Sequence, residues 1–232
     1  MKNLLTSTSV IVLALFLSGC ASPSTSMKMA FQNDTDRLTD ASKPIFLMTV
    51  TIKNSYRTSF QPRLRVVNVE KLDAKDSSDE INFTMDEKAM NETDSFPEGN
   101  SYLIRMELPP GSYEIRGLTR MAHSFPIITD YFAPLHSPLV SRGSGVFYLG
   151  HVAATVRERQ GSEFRAGPSD SIINSLAGGA FGGTFDIEIS DKLSTDEKLF
   201  RAKFPALGGV EIKKAILPQF DRAKAQQLWE TH

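Results

Sequence analysis

Between Ser101 and Arg116 the chain alternates apolar and polar side chains on both sides of a proline-glycine turn. No other stretch constrains its fold as much. Tyr102, Ile104, Met106 and Leu108 share one side of an extended segment, Pro109-Pro110-Gly111-Ser112 follows, and Tyr113 and Ile115 resume the alternation. A period of two puts successive side chains on opposite faces of a strand. Proline presets φ for a turn, and glycine takes the left-handed conformation that turns use. The pattern predicts a β-hairpin over residues 101–120 and a β-rich protein around it.

Further segments carry the same signature. Ile45–Ile52 is a β-favouring apolar run, and Arg63–Glu70 is a second centred on Val66 and Val67. Ile81, Phe83 and Met85 alternate with polar residues, as do Phe185, Ile187 and Ile189. A strand is expected from Val146 to about Arg157, with a bend at Gly150. Short strands separated by turn signals predict a mainly β fold, an antiparallel sandwich with one or two short C-terminal helices.

The first of those helices is expected to open on the capping box Ser194-Thr195-Asp196-Glu197 and to end before Pro205. Pro218 is expected to open the second, with Phe220, Ala223, Leu228 and Trp229 on its buried side. Gly178-Gly179-Ala180-Phe181-Gly182-Gly183 reads as a flexible surface loop between a short helix at Ile172–Leu176 and the strand at Phe185.

The N-terminus predicts a location. Lys2 supplies a positive start, Val10–Leu17 is an apolar run of eight residues, and Ser18-Gly19 precede Cys20, the only cysteine. Eight apolar residues fall short of the ~20 needed to span a bilayer, and the order is that of an export signal. Leu17-Ser18-Gly19-Cys20 reads as a lipobox, in which the thiol takes a diacylglyceryl group and the freed amine is acylated. Each buried CH₂ is worth roughly 0.8 kcal/mol, so two or three chains anchor stably. Residues 1–19 are therefore expected to be a lipoprotein signal peptide, 20–43 a lipidated N-terminus and flexible tether, and 44–232 the β-sandwich with its helical extension. Ala21 and Ser22 after the cysteine, in place of Asp, favour the outer membrane and a periplasm-facing domain.

Composition excludes some classes of partner and chemistry. The formal net charge is −1, which argues against a nucleic acid partner. With one cysteine, the core must come from apolar burial without an internal disulfide, and 15 Phe and 8 Met are available for it. His123, His136 and His151 lack metal-ligand spacing, so neither metal nor cofactor is expected. No G-x-S-x-G elbow is present and no S-x-x-K falls on a helix, so no catalytic residue is assigned and the chain reads as non-enzymatic. Asp73, Asp76, Asp79 and Glu80 lack the EF-hand order and read as a solvated loop.

Residues 121–140 combine aromatics and prolines without clear periodicity. They read as a long insertion and a ligand-facing contact loop, with Phe125, Tyr131 and Phe132 as its anchors.

Two segments carry a resemblance. Leu108-Pro-Pro-Gly-Ser-Tyr-Glu-Ile-Arg116 and Gly145-Val-Phe-Tyr-Leu-Gly150 resemble a hairpin and a following strand in small immunoglobulin-like or prealbumin-like modules of bacterial envelope lipoproteins. PEGA-like modules and lipoprotein families of uncharacterised function are among these. Phe204-Pro205-Ala206-Leu207 is more weakly similar to the endings of such proteins, and the insertion at 121–140 departs from them. The resemblance covers residues 101–150 and implies a sandwich fold with no transferable catalytic signature.

The functional expectation is a periplasm-facing outer-membrane lipoprotein with a structural or protein-binding role in the envelope. The alternative is a carbohydrate- or peptidoglycan-binding module, since β-sandwiches often present sugars to aromatic loops.

Overall fold

The computed structural model describes residues 25–27, 29–31, 33–38, 43–90, 99–167 and 172–231. Cys20, the signal peptide and part of the predicted tether lie outside them. Among the described residues ten strands form two sheets, with β1 Thr25–Met27, β2 Ile45–Asn54, β3 Arg63–Lys71, β4 Glu80–Thr84 and β5 Asn100–Glu107. They continue with β6 Gly111–Ser124, β7 Ile127–Ser141, β8 Val146–Glu158, β9 Gly183–Ser190 and β10 Ile212–Lys214. Three α-helices accompany them: α1 Ile172–Gly178, α2 Leu193–Lys203 and α3 Arg222–Glu230.

The first sheet runs β1-β4-β3-β6-β7; the second runs β10-β8-β2-β5, with β9 also on β8. Most pairs are antiparallel, as the sequence predicts, but β1/β4, β10/β8 and the central pair β2/β8 are parallel. That parallel pair explains the unbroken apolar run of β2, because such strands are covered on both faces. Phe46, Met48, Val50 and Ile52 face the core between the sheets. Ile45 and Leu47 face a second, smaller core with Phe200 and Phe204 at the end of α2.

The predicted hairpin at 101–120 does not form. β5 pairs with β2 in the second sheet, and β6 pairs with β3 and β7 in the first. Pro109-Pro110 carries the chain across the core as an arch, and the Tyr113 hydroxyl donates to the Pro109 carbonyl at 3.0 Å. Both strands turn their apolar faces to one core, so a hairpin and an arch satisfy the same alternation.

Residues 121–140 are not an irregular insertion either. β6 runs on to Ser124, Phe125-Pro126 makes the turn, and β7 returns antiparallel from Ser124↔Ile127 to Gly111↔Ser141, with one register shift between Ile115 and Gly117. β7 is the edge of its sheet, where the Pro134 and Pro138 rings cost no ladder bond on the outer side.

The sandwich is closed at both seams. On one, the Phe132 N–H donates to the Ala166 carbonyl and the Ala166 N–H to the Gly183 carbonyl, each at 2.8 Å, so residues 163–167 link β7 to β9. On the other, Met29 and Phe31 are buried and the Ala30 N–H donates to the Arg105 carbonyl at 3.2 Å. Residues 25–27 and 29–31, which fall within the expected tether, are thus paired with or packed against the sandwich, whereas 33–35, 37 and 43 are exposed.

Smaller departures concern helix ends and the glycine run. α2 starts at Leu193, whose N–H donates to Asp191 Oδ1 at 3.1 Å, and the capping box stays unused because Glu197 pairs with Arg201 at 2.7 Å. α3 opens with Asp221 accepting from the Lys224 N–H at 2.9 Å, three residues after Pro218, and buries Ala225 in place of Ala223. The expected bend at Gly150 is a bulge with φ 110°. Gly178 is packed: a Cβ there would lie 2.1 Å from Thr129 Oγ1, so the glycine run is structural.

Candidate functional site

A cleft of about 530 Å³ opens on the outer face of the first sheet, between β7, residues 164–167 and α3. Strand alternation decides what reaches it. Tyr131, Ala133 and Leu135 of β7 point into the core, so Asp130, Phe132, Pro134 and His136 face outward. Arg116 and Thr119 of β6, Phe164 and Arg165, and Leu228 and Trp229 of α3 complete the walls. The volume lies in the range of small-ligand sites, which combine apolar and aromatic walls with a few polar groups.

His136 adopts a left-handed backbone at φ 47°, rare for a residue with a side chain. It lies where the β6/β7 register shifts between Ile115 and Gly117, and such bulges re-aim side chains. Its Nδ1 lies 3.3 Å from Glu114 Oε2. Lys224 Nζ reaches Glu114 Oε1 at 2.7 Å and the His136 carbonyl at 2.9 Å, tying α3 to the sheet. Burial opposes ionisation of Glu114, but the bonds from Lys224 and His136 outweigh it and hold its pKa below the ordinary value. Burial lowers the His136 pKa, against the pull of Glu114, and favours the neutral ring.

A polar row leads into the cleft. The Thr119 hydroxyl donates to Asn68 Oδ1 at 2.7 Å, and Asn68 Nδ2 donates to Asn82 Oδ1 at 2.9 Å. Arg116 Nη1 beside it donates to Glu70 Oε2 at 2.9 Å. The row crosses β4, β3 and β6 and meets Phe132, the register partner of Thr119, on β7. Three inter-strand spacings make it roughly 14 Å long.

The three predicted contact residues separate. Phe132 turns its ring into the cleft, and Tyr131 borders only its floor. Phe125 sits at the β6–β7 turn, 91% exposed. Tyr131 is 1% exposed and belongs to the core, where its hydroxyl donates to the Gly178 carbonyl at 2.6 Å and accepts from Asn54 Nδ2 at 3.1 Å. A pattern read as irregular could not assign faces, so Tyr131 and Phe132 looked equivalent. Sequence reasoning missed Arg116, Asp130 and Arg165, and it placed Trp229 on a buried helix face. Trp229 is 38% exposed at the cleft mouth; its being the only tryptophan was the available signal.

The histidines do not converge. His123 is exposed near the hairpin turn, and His136 is at the cleft. His151 is buried with Thr49, Tyr148 and Asp196, where Thr49 donates to Asp196 Oδ2 at 2.5 Å and therefore accepts from His151 Nδ1–H at 2.9 Å. Tyr148 also donates to Asp196 Oδ2. This enclosed network fixes α2 to β2 and β8.

No helix among the described residues is long and apolar enough to cross a membrane. Comparison with protein-family models, with curated proteins and with solved structures finds no match. The cleft therefore carries the functional argument by its own chemistry.

Proposed function

We propose that the protein is a lipid-anchored, non-catalytic module on the periplasmic face of the outer membrane that binds an envelope glycan, peptidoglycan, through the outer face of the first sheet. The observation that carries this is the meeting of the Asn82–Asn68–Thr119 row with the Phe132 and Trp229 rings in one cleft. A sugar ring has a C–H face that stacks on aromatics and a rim of hydroxyls that pairs with amides, hydroxyls and guanidinium groups. Full-length protein in detergent is expected to sediment with purified sacculi. Phe132→Ala and Trp229→Ala should each lose that retention while keeping the native circular dichroism spectrum. Wild-type protein that stays in the supernatant sinks the reading.

The anchoring half has a separate test. Cys20→Ser should leave the precursor uncleaved and unlipidated, and normal membrane fractionation of a cleaved mutant contradicts it.

A protein partner is the second reading, favoured by Phe125 at 91% and Ile128 at 46% exposure. The register places Thr25 beside Ile81, Ile81 beside Val69, and Val69 beside Ile115. From Ile115, β6 runs nine residues to Ser124, about 30 Å. Thr25, the described residue nearest in sequence to Cys20, therefore lies far along the sheet from the apolar turn. Photo-crosslinking in cells from position 125 should then trap a single protein, and crosslinks equal to those from exposed Arg142 argue against it.

A further inference from the structure

The cleft holds a guanidinium with no counter-charge. Arg116 is committed to Glu70 at 2.9 Å, and both His136 and Lys224 are committed to Glu114. Arg165 differs. Its guanidinium lies 3.9 Å over the Phe181 ring, it has no ion-pair partner among the described residues, and its Nε is buried without a hydrogen-bond partner. Asp130, in the same cleft, also has no ion pair among the described residues, so the two do not contact each other directly. Stacking on Phe181 fixes the guanidinium plane and leaves its rim of N–H donors unspent. That rim matches a carboxylate bidentately.

We infer that the cleft selects glycans bearing a free carboxylate, with Arg165 as the carboxylate's partner and the sugar ring against Phe132 and Trp229. The inference rests on the glycan reading above and narrows it. The Nε is buried in the free protein, so the terminal Nη1 and Nη2 are the donors open to a ligand, and a neutral sugar brings them no charge. A carboxylate meets those two terminal donors with charge-assisted bonds, while Asp130 and Thr119 accept from hydroxyl groups. In murein the lactyl carboxylate of N-acetylmuramic acid has this chemistry wherever its stem peptide has been removed. Such a ligand must therefore be supplied by a hydrolytic reaction that cleaves the lactyl amide with water, giving the carboxylate and a peptide amine.

Trp229 supplies the readout, as the only tryptophan in the chain and a wall of the cleft. Full-length protein in detergent is titrated with four probes: N-acetylglucosaminyl-N-acetylmuramic acid, N,N′-diacetylchitobiose (chitobiose), digalacturonic acid and alanyl-alanine. The first two differ in the lactyl group. The third carries carboxylates from another source, and the fourth is a peptide carboxylate.

The expected result is a fluorescence change with about tenfold tighter binding of the muramic disaccharide than of chitobiose. Arg165→Gln should cost the muramic disaccharide about tenfold more than chitobiose and so bring the two to equal affinity, at an unchanged thermal midpoint, and Arg165→Lys should restore part of the difference. Equal wild-type affinities for the two disaccharides overturn this inference and leave the glycan reading intact. A response to neither disaccharide, with no retention on sacculi, overturns both. Tighter binding of digalacturonic acid keeps the carboxylate and removes murein as its source, and a response to alanyl-alanine alone makes the site a peptide site and rejects the inference.

Discussion

Arg105 and Asp86 join three separate pieces of chain. The Arg105 side chain is fully buried, and its Nη2 donates to Asp86 Oδ2 at 2.7 Å. Its Nε donates to the Ala30 carbonyl at 2.6 Å, and its guanidinium lies 4.3 Å over the Phe204 ring at the end of α2. Asp86 also caps the turn after β4, accepting from the Ala89 N–H at 2.8 Å. The N-terminal segment, the β4–β5 connection and the α2 terminus therefore share one charge pair. Burial lowers the Arg105 pKa and the Asp86 carboxylate opposes that shift.

Asp86→Ala leaves a buried guanidinium without its counter-charge. Breaking a buried pair from one side costs about 3–5 kcal/mol, and partial exposure of Asp86 puts this one near the lower figure. A lower urea midpoint is expected, together with faster tryptic cleavage at Arg37 as the N-terminal segment loses its dock. An unchanged midpoint would show that Arg105 is satisfied by Ala30 and Phe204 alone.

Asn54 makes a second junction. Its Oδ1 accepts from the Arg57 N–H at 2.7 Å, and its Nδ2 reaches both Tyr131 Oη and the Gly178 carbonyl at 3.1 Å. Tyr131→Phe removes one buried hydroxyl and should cost roughly 1–2 kcal/mol. Since the Tyr131 hydroxyl is spent on Gly178 and Asn54 and the ring that borders the cleft is kept, this variant should bind sacculi like the wild type. Gly178→Ala should cost more, about 1–3 kcal/mol, because the new methyl collides with Thr129. Thermal melts and sacculus sedimentation of the same preparations separate the two effects.

What could be read from the residues divides along physical lines. β2, β3, β4, β8 and β9 were legible because their inward positions are large and apolar. β7 was hidden because Thr129, Ser137 and Ser141 occupy inward positions and Pro134 and Pro138 interrupt the pattern. The arch at Pro109-Pro110 was invisible for a different reason: alternation specifies a face and a reversal, whereas strand partners are set by contacts distant in sequence. The cleft joins Arg116, Phe132, Arg165 and Trp229 from four segments, and no local spacing links them. Phe132 alone was anticipated, by its aromatic character.

Arg120 is the least compensated charge in the described core. Its three guanidinium nitrogens are buried without hydrogen-bond partners, and it stacks 4.3 Å over Phe185. Burial lowers its pKa from 12.5 to about 9. Between those values the unfolded chain keeps the proton that the folded chain has lost, so this residue's contribution to stability rises with pH above about 9. Replacing a buried charge by an apolar side chain of similar volume is neutral or stabilising by about 1–4 kcal/mol. Arg120→Met should raise the melting temperature at pH 7, with the gain shrinking as pH passes 9. A destabilised variant at pH 7 would falsify the absence of a compensating partner.

Acid should loosen the cleft before it unfolds the whole protein. Burial lowers the pKa of both His136 and His151 below the ordinary 6.5. As pH falls through 6.5 the unfolded chain takes up protons that the folded chain refuses, so the stability held above that pH is progressively lost. Glu114 follows at lower pH: its depressed pKa contributes stability that is complete above 4.5 and is lost on further acidification. The Glu114 carboxylate bridges the His136 ring and Lys224, so titration of that pair acts on the α3 dock, and Trp229 should respond first. Trp229 fluorescence is expected to change between pH 6.5 and 5 ahead of the far-ultraviolet signal from the sheets. His136→Gln should flatten the early part of that profile, and Glu114→Gln should weaken the α3 dock even at pH 7. Coincident transitions by the two probes in the wild type would mean that α3 and the sandwich unfold as one unit.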